Sequence, residues 1–598
     1  MNADITAEVP VLIVGGGPVG LTASILLSQE GVRSLLVERH PGTAVHPKAR
    51  GINGRTMEMY RQHGVEAAIR KAGLAPEHTG LIVWTRTLSG EEIERRIPWR
   101  AGPQSAAVSP VRNCLCAQDD LEPVLRAFAE QQEPAALRFS TEVIACEQDA
   151  DGVTATLVDR VSGTQTRLRA SYVIAADGAQ SALRRQLGVR MLGHENVYES
   201  VNILLNADLR PWTTQRPAAL YFVENPKLRA TFLTINGFDR WGFLVNNLSA
   251  YGYKPGDFTP ERSAELVRIA VGVDDLDVKI LGIAPWTASA HVAEQYRHGR
   301  IFLAGDAAHE MPPTGGFGMN TGVQDVHNLA WKLAAVLHGV AGPALLDTYH
   351  DERQPFGRII TEQALNNSIS MGRLEPAPGT VIARPEFLNE QGMIFGATYT
   401  SAAVVSDGTA LPVLKNPVTD YVPSARPGGR APHVWLARDG MRISTIDLFG
   451  DGFVLLTGIG GKAWSEAARR LAAQMRLNLT TLTVGDGELG DPEGQWADTY
   501  GVDETGAVLV RPDGYVGWRS RSMTSDPGTM LGPALTRILG GDDSRYQRTD
   551  QVLSPNNFSI SSMSGLLRPA VRSSAKSSRT AASQDFSPLT FFSPRYFM

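Results

Sequence analysis

Val9-Pro-Val-Leu-Ile-Val14 is a short, unbroken apolar run near the start of the chain. A run of that length bounded by glycine is the pattern of a strand buried on both faces of a parallel sheet. GGGPVG follows at once from Gly15 to Gly20. Leu21 to Gln29 are helix formers, and Gly31 marks a stop. Arg33 to Val37 is apolar again and ends at Glu38. Together these segments predict strand, glycine turn, helix, strand.

Further along, the period changes to two. Val153 to Val158 alternate, Ser162-Gly163 makes a turn, and Thr164 to Leu168 alternate back, which predicts a hairpin. Tyr172 to Ala176 predicts another buried strand, running into Asp177-Gly178. From about Val197 to Ile283, short β-like runs with aromatics predict an inserted antiparallel sheet. Arg300 to Ala304 returns to buried-strand character, and a helix pattern runs from about Gly322 to Leu337. Periodicity fades from Arg373 to Gly408, where prolines and glycines mark a linker. A third α/β unit is predicted from Pro427 to about Leu539. The serine-rich stretch from Asp542 to Met598 lacks apolar periodicity and reads as a disordered tail. The expected division is an α/β domain over 1–190 and 300–395, a sheet domain over 191–299 with parts of 78–112, a C-terminal unit over 425–541 and the tail over 542–598.

Composition narrows the class. A length of 598 residues accommodates roughly three to five domain-sized units. With 43% hydrophobic and 20% charged residues, a sizeable core is available, which excludes wholesale disorder or a fibre. A net charge of −5 argues against a nucleic-acid partner. The 3 cysteines, Cys114, Cys116 and Cys146, are too few for a disulfide scaffold and imply a reducing, cytoplasmic setting. No metal-ligand spacing is present, and Cys-x-Cys is not a zinc or redox spacing. Val9 to Leu27 is apolar enough to raise a membrane span. Its glycine pattern favours the strand–turn–helix reading instead, and no secretory signal precedes it.

Chemistry concentrates at three places. Gly15, Gly17 and Gly20 form G-x-G-x-x-G between a strand and a helix. The first glycine permits the turn, the second lets backbone approach a pyrophosphate, and the third allows close packing; the helix N-terminus attracts the phosphates. Glu38 at the next strand end is placed to accept hydrogen bonds from ribose hydroxyls. This motif alone does not separate FAD from NAD. Asp177-Gly178 ends a strand, with Ser181 and Arg184 shortly after. The third place is the most specific. A buried strand delivers Gly305-Asp306. Pro312 and Pro313 lead into Gly315, Gly316 and Gly318, and a helix starts near Met319 or Asn320. Asp306 suits a polyol chain, and free N–H groups at the helix start suit negative charge. His309 reads as a structural histidine beside the loop.

GGGPVG with Glu38, AADGAQSALR and AGDAAHEMPPTGGFGMNTGVQDVHNLAWKL, in this order, resemble the class A FAD-dependent aromatic monooxygenases, the p-hydroxybenzoate hydroxylase-like superfamily. RPGGRAPHVWL, STIDLFGDGFVLLTG and LVRPDGYVGWR resemble the C-terminal thioredoxin-like domain of the phenol hydroxylase and polyketide hydroxylase branch. Within it, the N-terminal segments are most similar to tetracenomycin-type polyketide hydroxylases. With no cysteine beyond Cys146, the C-terminal unit cannot do dithiol chemistry and reads as structural or as a homodimer surface.

The resemblance implies a Rossmann-like FAD domain carrying an inserted β-sheet substrate domain. It implies non-covalent FAD, and NADPH or NADH as a transient co-substrate. Gly15, Gly17, Gly20, Glu38 and Arg39 would serve the ADP part, and Gln118 the flavin. Asp177, Gly178 and Arg184 would serve FAD and the passing nicotinamide. Gly305 and Asp306 would hold the ribityl chain, while Pro313, Gly316, Gly318, Met319 and Asn320 would lie over the isoalloxazine. Lys48 stands where the family more often has Arg; a phosphate contact there would be weaker, and Arg50 is the alternative. Lys48, Arg50 and Arg184 are expected to meet the phosphates of NADPH. The implied reaction inserts one atom of O₂ into a phenolic or polycyclic aromatic substrate through a flavin C4a-hydroperoxide. A Baeyer–Villiger outcome or a simple phenol substrate are alternatives. No membrane or nucleic-acid partner is implied. No general base is identified; Tyr221, His291 and Tyr296 are candidates, each read more readily as a packed aromatic or ordinary histidine.

Overall fold

The structure, a computed structural model, describes residues 5–98, 103–370, 389–485 and 488–541. The tail expected from Asp542 and part of the expected linker (371–388) lie outside the described residues.

The apolar run predicted at Val9 forms the strand Ile5–Val14. It is the centre of a parallel sheet because it is buried on both faces, with Val11, Leu12 and Ile13 fully covered. Ser34–Val37 pairs with it on one side and Gln165–Ala175 on the other, and Ile301–Leu303 lies beyond. The register aligns Val14 with Val37 and Ala175, and Ala175 with Leu303. Four strands therefore end at one edge, and the residues that follow them share one crevice. Ligands of open α/β sheets bind at that edge.

Two expectations change here. The predicted hairpin arm and the predicted strand at Tyr172 are one continuous strand, Gln165–Ala175. Nothing between Leu168 and Tyr172 breaks an extended chain, so it passes from an antiparallel partner, Val153–Asp159, to parallel ones. The long helix starts earlier than its periodicity indicates, at Gly318, and runs to Leu337.

The inserted sheet has eight strands. Its two longest are Met191–Asn206 and Lys279–Ala293, and Ile82–Thr85 with Glu92–Arg96 complete one side. Neighbours are antiparallel except Leu220–Asn225 with Ile82–Thr85, which run parallel. That pair joins a segment far upstream to the insert, a pairing no local pattern encodes. Trp241, Phe243, Val245, Val201 and Ile203 pack beneath the helix Pro260–Val271. Period-two alternation turns Asn202, Leu204, Gly242 and Leu244 to the opposite face.

The C-terminal sheet has the order Leu479–Thr483, Phe453–Thr457, Ala507–Val510, Val516–Ser520. The first pair is parallel, joined through the helix Lys462–Met475, and the rest are antiparallel. This is a thioredoxin-like arrangement without cysteine. The three cysteines are free and buried upstream. Among the described residues no helix is long and apolar enough to cross a membrane.

Buried charges bolt this unit to the α/β domain. Arg511 donates to both oxygens of Glu352 at 2.6 and 2.9 Å, and Lys332 Nζ donates to Glu352 at 2.8 Å. All three side chains are fully covered. Arg430 reaches Glu58, which also accepts from Arg55 and Ser109. Each buried charge is paired, as its desolvation requires.

Candidate functional site

The crevice begins at Gly15, whose φ is +112° and whose hypothetical Cβ would collide with the Ala176 carbonyl. A Cβ on Gly20 would collide with the Gly15 carbonyl, so turn and helix lie in close contact. Gly17 is the N-cap of the helix Pro18–Gln29. A Cβ there would meet nothing nearer than Glu122 Oε1 at 4.0 Å, which leaves the helix N-terminus open to a phosphate.

Glu38 leaves the second strand and accepts from the Gly16 N–H at 2.7 Å and the His40 N–H at 2.8 Å, one on each oxygen. Each oxygen keeps a lone pair for a ribose hydroxyl. Arg39 is exposed at the rim and donates to His40 Nε2 at 3.3 Å.

Asp177 follows the third strand. Its Oδ2 accepts from the Leu183 N–H at 3.3 Å, while Oδ1 is buried without a protein partner. Gly178 has a φ of +81° with open space where a Cβ would stand. After the fourth strand, Gly305 turns at a φ of +61°. Asp306 projects from that turn and is exposed to the crevice, although protein crowds it on the other sides. That crowding pushes its carboxyl above the usual carboxylate range, against the pull of His309 and Lys48.

Asn320 braces the glycine loop. Its Nδ2 donates to the Gly316 carbonyl at 2.7 Å and the Gly51 carbonyl at 2.8 Å, and its Oδ1 accepts from the Asn53 N–H at 2.9 Å. Gly316 has a φ of +67° and open space about it, and a Cβ on Gly318 would come no nearer than 3.8 Å to Met311. The first i→i−4 bond of the helix is made by the Thr321 N–H, so the N–H groups of Gly318, Met319 and Asn320 precede it. Pro313 closes the turn before them by accepting from the Gly316 N–H at 3.0 Å. These open glycines, the unpartnered Asp177 oxygen and the exposed Asp306 carboxylate fit an elongated dinucleotide.

A family profile described as "FAD binding domain" matches residues 8–364, and one described as "Aromatic-ring hydroxylase, C-terminal" matches residues 424–541. The chain is 41% identical over 557 residues to the tetracenomycin B2 monooxygenase-dioxygenase of Streptomyces olivaceus, covering 89% of this chain and 99% of that one. It is 42% identical over 543 residues to the 4-methyl-5-nitrocatechol 5-monooxygenase of a Burkholderia species, covering 89% and 98%. The flavin-dependent monooxygenase PieE, solved with FAD and substrate, superposes with a TM-score of 0.83 at 36% identity, covering 90% of this chain and 100% of that one.

The chain belongs to the FAD-dependent aromatic-ring hydroxylases. The crevice lies within the residues that match the FAD binding domain. Gln118 opens the helix Gln118–Glu130 beside it, with Nε2 donating to Glu122 Oε1 at 2.6 Å. Glu122 was not legible as a site residue, although it stands one turn after Gln118. Its Oε2 accepts from the Ala44 N–H at 2.6 Å, and burial pushes its carboxyl up. Lys48 is exposed and near enough to Glu122 and Asp306 to stabilise both carboxylates.

Arg50 and Arg184 depart from their expected role at NADPH phosphates. The guanidinium of Arg50 donates to the Thr234 and Ala219 carbonyls at 2.6 Å each, tying the hydroxylase's two main domains together. Arg184 is buried, and donates to the Ala307 carbonyl at 3.0 Å and the Ala179 carbonyl at 2.8 Å. It clasps the Asp306 turn from behind, because burial without such acceptors would be prohibitive for a guanidinium.

Of the base candidates only Tyr221 is hydrogen-bonded, and the Tyr296 hydroxyl is buried without a hydrogen-bond partner. Tyr221 donates to the Arg216 carbonyl at 2.8 Å and accepts from the Ala218 N–H, and burial pushes its phenol up to about 12. Tyr296 is fully buried among His309, Tyr349 and His350. His291 is buried with Nε2 3.0 Å from Glu310 Oε1. His309 Nε2 lies 2.8 Å from Asp325 Oδ2 in a fully covered site.

The face of the inserted sheet turned to the FAD domain is set by register. Asn202 donates to the Pro47 carbonyl at 2.9 Å, and Leu204 packs with Ala117 and Ile235. Both contacts turn that face of the inserted sheet toward the FAD domain. Pairing puts Leu244, Thr231, Phe222 and Trp84 in the same row as Asn202. Trp84 and Phe222 stack at 5.0 Å.

Proposed function

We propose that this hydroxylase takes a phenolic, polycyclic polyketide-like substrate, with NADPH or NADH as electron donor. The observation carrying the reading is the row Trp84–Phe222–Thr231–Leu244–Asn202 on the side of the inserted sheet facing the FAD domain. It offers an extended aromatic and aliphatic floor with amide and hydroxyl groups within it. A flat polycycle with peripheral oxygens matches that mixture better than a small apolar ring does.

FAD, when bound, supplies activated O₂ for transfer of one oxygen atom to an aromatic ring. The protein's part is to hold and orient. The N-terminus of the helix Pro18–Gln29 would meet the pyrophosphate, Glu38 would accept hydrogen bonds from the ribose hydroxyls, and Asp306 would accept from the ribityl chain. The N–H groups of Gly318 to Asn320 point positive potential at the ring system. The inserted sheet covers the substrate and excludes water. The nicotinamide cofactor visits without a fold of its own, because of the two G-x-G-x-x-G strings, at 15–20 and 485–490, only the first runs directly into a helix among the described residues, Pro18–Gln29. Arg50 and Arg184 being otherwise engaged, Lys48 remains as the exposed cation of the three.

The test is a panel of phenolic polycycles and simple phenols, read as stimulated NADPH consumption and as product mass. A gain of one oxygen on a polycycle supports the reading. Preferred turnover of nitrocatechols or phenols would assign the narrower substrate class of the Burkholderia relative.

A further inference from the structure

Asp325 lies inside the long helix, fully buried, and its two oxygens face different partners. Oδ2 accepts from the Gly305 N–H at 3.1 Å and from His309 Nε2 at 2.8 Å. Oδ1 accepts from Arg353 Nε at 2.8 Å. Arg353, also fully buried, donates onward to the Tyr399 hydroxyl at 2.9 Å and to the Thr321 carbonyl at 3.1 Å. Tyr399 stacks on Tyr515 of the C-terminal unit with ring centres 4.1 Å apart. The Tyr399 N–H donates to Gly428, and the Gly428 N–H donates to Val516. Arg353 thus holds both walls of the FAD crevice: the Gly305 turn through Asp325, and the first turn of the loop helix through Thr321.

We infer that Asp325 is a positioning residue for the Asp306 turn, and that Arg353 and Tyr399 link it to the C-terminal unit so that docking of that unit tightens FAD binding. The physical reason is continuity in a dry interior. A charge-assisted hydrogen bond there is strong, and leaving either partner unmet is costly, so displacement of Arg353 at one end must be answered at Asp325. The Gly305 N–H moves with that carboxylate. Coupling of this kind is reciprocal: whatever the C-terminal unit does for FAD, FAD does for the docking of Tyr399 on Tyr515. The C-terminal unit thereby has a role without cysteine. The inference rests on the Gly305–Ala307 turn holding the cofactor, which Asp306→Ala tests separately.

The variant to make is Tyr399→Phe, which keeps the stacked ring and removes only the acceptor of Arg353. FAD release from the diluted holoenzyme is followed by the return of flavin fluorescence, and amide exchange is read at Gly305 to Ala307. Release and exchange should both rise about three- to tenfold, the share of one lost bond to a charged group (roughly ten- to a hundredfold in all) that reaches the Gly305 turn. Exchange in the strand Phe453–Thr457 should stay unchanged. Tyr515→Leu, which removes the stacked ring and leaves the hydrogen bonds from Arg353 to Asp325, Tyr399 and Thr321 in place, should produce the same pair of changes. FAD should slow exchange around Tyr515 in the unaltered protein and do so less in Tyr399→Phe. Unaltered flavin release and Gly305 exchange in Tyr399→Phe would overturn the coupling. So would exchange that rises throughout the chain, which would mark a general loss of stability.

Discussion

Glu58 and Arg430 stand 372 positions apart in the chain and meet as a fully buried pair, Arg430 Nε donating to Glu58 Oε2 at 2.9 Å. Glu58 belongs to the helix Gly54–Gln62 of the FAD domain, and Arg430 to the start of the C-terminal unit. Burial raises the Glu58 carboxyl, but Arg430 and Arg55 more than offset it and hold it below the usual carboxylate range.

Arg430→Met should therefore destabilise the protein by about 3–5 kcal/mol, since it leaves a carboxylate buried with too little compensation. Glu58→Gln in the same chain should recover part of that loss. Urea unfolding of the single and double variants measures both. A single variant within about 1 kcal/mol of the parent would mean that Arg55 and Ser109 suffice for Glu58.

Glu38→Ala and Asp306→Ala should each lower FAD affinity by about 1.5–3 kcal/mol, the worth of a hydrogen bond to a charged group. Equilibrium dialysis of flavin against each variant gives the constants. Acid precipitation should leave all flavin in the supernatant. Flavin retained by the pellet would show a covalent link.

Arg184→Ala should raise the FAD dissociation constant and leave the KM for NADPH nearly unchanged. It removes the clasp on the Ala307 carbonyl, not an exposed cation. Arg184→Lys should rescue only in part, because an ammonium does not span both carbonyls as the guanidinium fork does. Titration of flavin beside stopped-flow reduction separates the two effects. A raised NADPH KM with unchanged FAD binding would return Arg184 to the nicotinamide path.

Glu30, at the C-terminal end of the first helix, has its carboxyl raised to about 7, by burial first and by Asp451 second. Folding therefore favours its protonated form. That contribution is whole below about pH 4.5, fades as pH rises, and is gone above about 7. Glu30→Gln should leave the melting temperature unchanged at pH 4 and raise it at pH 8. Equal shifts at both values would show that Glu30 does not titrate this way.

How much was legible follows from range. Gly15, Gly17, Gly20, Glu38, Asp177 and Asp306 were readable because each sits just past a strand end or in the first turn of the helix that follows it, and such a junction is written locally in apolar runs and glycines. The register of Val14 with Val37 and Ala175 then brings them to one edge, a step the parallel crossover rules make nearly automatic. The cysteine-free C-terminal unit was readable for the same local reason.

The fates of Arg50, Arg184 and Tyr221 were not readable, since a cation or phenol in sequence does not declare which carbonyl it will meet. Glu122, Asp325, Arg353 and Glu58 were missed because their partners lie on other elements, up to hundreds of residues away. By itself the sequence determined the strands and glycine turns, through short-range periodicity and turn geometry, and the class of chemistry, through its resemblance to the flavin-dependent hydroxylases. Only the tertiary structure decided which charges face the crevice and which are buried as braces. That choice depends on desolvation, and desolvation is a property of the assembled interior.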